Sequence, residues 1–526
     1  MDADQTDSHR RLSAFISGWM SLALALLSYF WFPGHTWLQQ DSQLYLPILE
    51  HQRDPAVLRN DPIATQPHTA YTIYDEAALA LGAIGLDLHT ALAAEQIAAR
   101  ALGIWGLYLI ASAAGLAAGP AWLVAMIVAL GAFIKGPEVI TFEYEPTPRA
   151  IAIPLIMLAI GLAAHGRTVA AAVAGAGAFL FHPPAALPFW AVFAAVNARR
   201  WARILPLVAA VALLLVTSSG AHQAFFGQLA PMDSRLMHLR TAYVFISSWP
   251  RTFVWHYGIV AAILALAWWR VRGNGLLMGM AVIGILSMPV SFLLLDVAEW
   301  RLLPQLQPMR WLLFTTLAMQ LLAAIAGTQS YRSRGLRLDG KGAGASLEAI
   351  AWFTIAFLPP LQPVFTQDLR WPHFAVAVGL AVLSATALAW KIAPAAGLAA
   401  FFAVPLLGGV VNYPSLDTPE LARLVEWARA STSPDAVFVF PEAGHSTEPG
   451  IFRAEAQRAL YVDWKGGGQM VYLPGFAFPW WFRWQQVEGA GLAKLDALGI
   501  RYAVVKRGGD YVVYDTHTGM PARQSK

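Results

Sequence analysis

Thirteen apolar runs, with approximate limits 13–33, 97–118, 120–134, 149–165, 168–182, 184–197, 204–218, 252–269, 276–295, 310–328, 347–362, 373–390 and 394–411, leave this chain few ways to fold. A stretch of about 20 apolar residues matches the hydrocarbon thickness of a bilayer, and inside it only a helix satisfies every backbone polar group. The sequence is 57% hydrophobic and 13% charged, against roughly 25% charged in an average soluble domain, so most of its 526 residues cannot face water. The expected class is mainly α: a polytopic helical membrane protein of about thirteen spans. Runs 120–134 and 168–197 carry Pro120, Pro183, Pro184 and Pro188, which allow re-entrant or broken helices there.

Basic residues set the orientation. With the N-terminus inside, the inner connections are about threefold denser in Arg and Lys than the outer ones. An odd number of spans then places the C-terminus outside. Arg10 and Arg11 precede the first run as in a signal peptide, but the run continues through Phe32 with no small-residue cleavage pattern and reads as a retained span. The net charge of +4 follows from arginines flanking spans, and no nucleic-acid partner is expected. With no cysteine, disulfides and thiolate metal sites are excluded.

From about Tyr413 the pattern becomes that of a small α/β domain. Thr418 caps a helix through PELARLVEWARA, with Pro419 at its first position, and AVFVF (436–440) reads as a buried strand. The helix GLAKLDALG, ending at Gly499, and the strand IRYAVVK repeat the pattern. The division is therefore a membrane domain at 1–412 and an extracytoplasmic domain at 413–526. In the latter, Trp480, Trp481 and Trp484 with Arg483 suit either stacking on sugar faces or resting on the bilayer.

The candidate chemistry lies in the outer loops. Asp41 opens DSQLYLPILEHQRDPAVLRND at a span boundary, where a carboxylate is either an interfacial residue or a base toward a substrate held at the lipid surface. Asp54 and Asp61 precede prolines and read as turn residues. The second loop, KGPEVITFEYEPTPR, holds Glu143 and Glu145, which on extended backbone point the same way and suit one shared divalent cation, one bracketed hydroxyl, or solvent. Arg149 serves as a helix-end anchor or a phosphate contact, and His182, in FHPP, as a proton shuttle, a phosphate contact or a turn residue. A later loop supplies His222, Asp233, Arg235, His238 and Arg240. Arg301 and Arg310, in EWRLLPQLQPMR, suit bidentate phosphate binding or interfacial snorkelling.

A first span followed at once by an acidic loop at Asp41, a second acidic loop with Glu143 and Glu145, many spans and a C-terminal extracytoplasmic domain together resemble the C-type membrane glycosyltransferase superfamily. The stretches ELARLVEWARASTSPDAVFVFPE, FRAEAQRALYVDWK and LDALGIRYAVV resemble the end of uncharacterised bacterial membrane proteins related to it. The resemblance implies an inner-membrane enzyme that moves a sugar from a polyprenyl-phosphate donor to a glycan or lipid acceptor. Asp41 would be the catalytic residue, Glu143 and Glu145 would orient the acceptor or hold Mg or Mn, and Arg149, Arg301, Arg310 and His182 would bind the donor phosphate. Glu-x-Glu stands where one branch has an Asp-x-Asp metal motif, and that branch's Trp-Trp-Asp motif is absent, which argues against protein N-glycosylation. The alternative is a non-enzymatic transport or assembly component of a cell-surface polysaccharide system.

Overall fold

The computed structural model describes residues 3–66, 72–217, 226–334, 343–361, 370–407, 418–473 and 475–524. Each of the apolar runs coincides with a helix. Five are long and apolar enough to cross a membrane by length and composition: Leu88–Ala113, Arg251–Val271, Gly275–Val297, Leu303–Tyr331 and Trp371–Ala389. Shorter apolar helices, such as Pro148–Ala164 and Thr168–Phe181, pack among them. The chain is a mainly helical polytopic membrane protein with a small sheet domain at its C-terminal end.

One departure from the expected limits and one expected break have local causes. The second run starts at Leu88, ahead of its apolar stretch, because the Asp87 carboxylate accepts the Thr90 N–H at 3.0 Å and caps the helix there. The Pro-rich stretch does break: Thr168–Phe181 ends at His182, and Pro183–Asn197 restarts with His182 as its N-cap.

Packing relies on small residues where backbones meet. A Cβ on Gly103 would come within 2.7 Å of the Pro154 side chain, and one on Gly106 would collide with the backbone at Met157 and Leu158, so Leu88–Ala113 and Pro148–Ala164 pack only because these positions are glycine. The helix Leu312–Arg334 runs through the centre, where Gln320 Nε2 donates to the carbonyls of Ile127 and Ala356, each at 3.2 Å.

Among the described residues seven strands form two sheets. A hairpin of β1 (Phe133–Ile134) and β2 (Val139–Ile140) stands in the second loop. The C-terminal sheet has the order β4-β3-β5-β6-β7, from β3 (Val437–Val439), β4 (Ala459–Leu460), β5 (Tyr502–Arg507), β6 (Asp510–Asp515) and β7 (Pro521–Arg523). β3 is parallel to both β4 and β5, while β6 is antiparallel to its two neighbours, β5 and β7. The predicted helix forms over Pro419–Ser431, with Thr418 accepting the Leu421 N–H.

This sheet domain shares its core with the first loop. Leu46 and Leu49 of the loop helix Ser42–Arg53 pack with Leu421, Leu424, Phe438 and Phe452. Beside them, buried Arg453 donates to Asp463 at 2.9 Å and to the Gln43 carbonyl at 3.0 Å. Asp61 acts in its predicted turn, accepting the Ile63 and Ala64 N–H groups, and its second oxygen also accepts the Leu460 N–H at 2.9 Å. Gly450 must be glycine, since a Cβ would run into Gln43. The division expected between residues 412 and 413 falls outside the described residues.

Candidate active site

Where the first two loops, the later inter-helix loops and the sheet domain meet, they enclose a cavity of about 670 Å³. Asp41, Glu143, Glu145, Arg149, His182 and Arg310 all line it, although they come from four separate parts of the chain. Arg301 does not. It lies on the irregular segment where Gln228 bridges Trp300, with its N–H on the Gly227 carbonyl, which removes it from the expected phosphate-binding set.

The second loop is fixed before any substrate arrives. On Leu88–Ala113, Gln96 Nε2 donates to the Glu143 and Tyr144 carbonyls, and buried Arg100 donates to those of Ser28, Gly34 and Glu143. Both loops thereby hang from one helix.

Glu145 uses both its oxygens on the first loop. Oε1 accepts the N–H groups of Gln39 at 2.6 Å and Gln40 at 2.7 Å, and Oε2 accepts that of Ser42 at 2.9 Å. Its side chain is buried; burial pushes its pKa up, opposed by the Ser42 hydrogen bond. Asp41 is the N-cap of Ser42–Arg53, where an aspartate ordinarily turns its carboxylate onto the helix's free N–H groups. Here Glu145 caps the helix instead, Asp41 makes no cap hydrogen bond, and its side chain, 39% exposed, opens into the cavity.

In the cavity the Asp41 carboxylate meets Lys465 Nζ at 2.8 Å. Burial alone would raise its pKa, but the charges of Lys465, Arg149 and Arg310 outweigh that and hold it well below the ordinary carboxylate range. Glu143 accepts from Arg149 Nε in an ion pair that is nearly buried on both sides.

This donor set does not fit the divalent cation expected of Glu-x-Glu. Glu143 is ion-paired with Arg149, and Glu145 accepts three backbone N–H groups of the first loop, so each carboxylate already has partners of its own. Among the described residues no group of three or more His, Asp or Glu side chains is placed to hold a metal.

His182 accepts the Ala185 N–H through Nδ1 at 3.1 Å, which leaves the ring proton on Nε2. Burial, together with Arg149 and Arg310, pushes its pKa down to about 3, so it is a neutral donor rather than a cation. Arg310 lies 5.6 Å from the Tyr243 ring centroid, its Nε is buried without a hydrogen-bond partner, and no carboxylate among the described residues pairs with it. Arg240 donates to the Trp464 carbonyl at 2.7 Å and also reaches the cavity. From the same loop, His238 stacks on Phe245 at 3.6 Å, and His222 lies outside the described residues.

Sequence reasoning missed Lys465, Glu138 and Trp464. Lys465 follows β4 in the stretch ALYVDWKGGG, whose glycines offered the only signal of an unusual turn. Gly467 abuts Trp480, and Trp480 Nε1 donates to the Asp463 carbonyl at 2.9 Å, so this tryptophan belongs to the core and is neither a sugar platform nor a membrane anchor. Glu138 occupies the β1–β2 turn at φ 52°; burial raises its pKa, against Arg310, Lys465 and Arg240.

Residues 419–487 match the family model of a domain of unknown function, DUF6798. No curated protein matches the chain. Among solved structures the chain is similar to the crystal structure of ArnT from Cupriavidus metallidurans in the apo state, with 16% identity, 97% of this chain and 98% of that chain covered, and a TM-score of 0.42.

Proposed function

We propose that the protein is a glycosyltransferase of the bacterial inner membrane, N-terminus inside, that passes a sugar from a polyprenyl-phosphate donor to a hydroxyl of an extracytoplasmic glycan or lipid. One observation carries this reading: a large cavity beside apolar helices holds Asp41, a carboxylate not spent on capping its helix, together with Arg310 and Arg240, which have no carboxylate partner among the described residues.

The chemistry needs a base for the acceptor and charge stabilisation for the leaving group. The acceptor oxygen bonds to the sugar's anomeric carbon as the bond to the phosphate oxygen breaks, and the acceptor proton passes to Asp41. The donor phosphodiester carries one negative charge and the departing polyprenyl phosphate two. Cations that strengthen their hold as this charge develops lower the barrier, and Arg310 and Arg240 supply them. Arg149, paired through Nε with Glu143, adds its field. His182 Nε2–H offers a neutral hydrogen bond.

The test is transfer from a radiolabelled polyprenyl-phosphate sugar by the purified protein, run beside a donor-binding measurement. Transfer lost in Asp41→Asn with donor binding retained supports the reading. Donor bound without any transfer by the wild type would instead make the protein a transport or assembly component.

A further inference from the structure

Lys465 comes from the sheet domain, yet it closes the cavity onto a carboxylate of the first loop. Its backbone is held firmly. Asp463 accepts the Gly466 N–H at 3.0 Å and is itself bound to buried Arg453, while Arg240 donates to the carbonyls of Trp464 and Lys465. Its side chain is the freer part: a long stem, 13% exposed, ending on one oxygen of Asp41.

The groups around it are specific. Arg149, Arg240, Arg310 and Lys465 all line the cavity with Asp41 and Glu138, and of these cations only Lys465 is ion-paired to Asp41. An ammonium bound to a carboxylate that must accept a proton opposes that transfer. The same ammonium beside a phosphate that gains a charge assists it.

We propose that Lys465 is shared between Asp41 and the donor phosphate, paired with the carboxylate in the empty cavity and drawn to the phosphate when the donor binds, so that Asp41 becomes an effective base only with the donor in place. This rests on the donor reading above. The charges balance along the reaction: as Asp41 takes the acceptor proton and loses its charge, the phosphate gains one, and Lys465 ends beside the group that needs it. Lys465 is thus a donor-binding residue supplied by the C-terminal domain, and donor precedes acceptor.

Binding of unglycosylated polyprenyl phosphate to the full-length protein in zwitterionic nanodiscs tests this without any transfer step. Lys465→Met should weaken binding by about tenfold, as loss of a charge-assisted phosphate contact does, and Lys465→Arg should restore most of it. Asp41→Asn should tighten binding several-fold by releasing the ammonium, and most of that gain should vanish in the Lys465→Met background. Should Lys465→Met fail to fold, Asp41→Asn alone still decides: unchanged or weaker binding overturns the sharing. Wild-type affinity in Lys465→Met, with Arg310→Ala weakened, overturns it too while leaving the donor reading intact. If the wild type binds no polyprenyl phosphate, the donor reading itself falls, and the inference with it.

Discussion

The cavity has two unlike walls. On the side built by the first two loops two carboxylates are committed to the frame, Glu145 to three backbone N–H groups and Glu143 to Arg149, while Asp41 and Glu138 face the cavity. On the side built by the later loops the cations rest on aromatic rings and carbonyls, Arg310 over Tyr243 and Arg240 over Trp464, with no carboxylate partner among the described residues. The first wall is a preorganised frame that leaves two acids unspent on its own structure: Asp41, paired across the cavity with Lys465, and Glu138. The second is a cationic surface left for an anion to complete. Two acids two residues apart, Glu143 and Glu145, thus do different structural jobs.

The sharpest way to break this contrast is to remove an unspent acid. Asp41→Asn keeps the side chain's size but cannot take the acceptor proton, so transfer should fall by about 10²-fold or more while donor binding persists. Transfer at the wild-type rate would make Asp41 one more committed residue. Next is the frame. Glu145→Gln replaces one of the accepting oxygens with a donor facing backbone N–H groups, and should cost about 2–3 kcal/mol, seen as a lower thermal midpoint with the first loop more open to hydrogen exchange. An unchanged midpoint would show that Glu145 does not hold the loop.

A pH profile joins the two walls. Because its neighbours hold the Asp41 pKa below the ordinary range, its ionised form persists on acidification, and any stability it lends is present above its unfolded pKa and lost as pH falls through the folded value. In Lys465→Met the carboxylate loses its nearest cation, so the acid limb of kcat/KM should move to higher pH. A limb that stays put would mean that Lys465 does not set the basicity of Asp41.

How much of this was legible follows from the range of each signal. The helices were, because twenty apolar residues in a row are a local statement about solvent, and so was the capped helix at Thr418. The hairpin of β5 and β6 also had its mark, Gly508-Gly509, both at positive φ, between two apolar runs, and was overlooked. The loop residues that line the cavity could be singled out because they are charged side chains next to apolar spans. Lys465 was not, since it pairs with a residue 424 positions away and nothing in DWKGGG names its partner. For the same reason, what separates Glu143 from Glu145 is invisible in Glu-x-Glu: it depends on which loop's backbone comes to meet each one.

The smallest expected effect concerns two arginines that the sequence could not tell apart. Arg301 and Arg310 flank the same short helix, Leu303–Leu306, and each suits phosphate binding or an interfacial position equally well on residue type. Gln307 separates them physically: at φ 45° it turns the chain into Pro308–Trp311 and carries Arg310 into the cavity, while Arg301 stays with the segment bonded to Gly227 and Gln228. Arg310→Ala should therefore weaken polyprenyl-phosphate binding by roughly tenfold, and transfer further, since the contact strengthens as the leaving phosphate gains charge. Arg301→Ala removes a half-buried side chain with no role in the cavity, and should leave both within about twofold of wild type. Equal losses in the two variants, measured side by side in the same nanodiscs, would mean that the donor reaches past the cavity as far as Arg301, and that the cationic wall extends beyond the side chains enclosing it here.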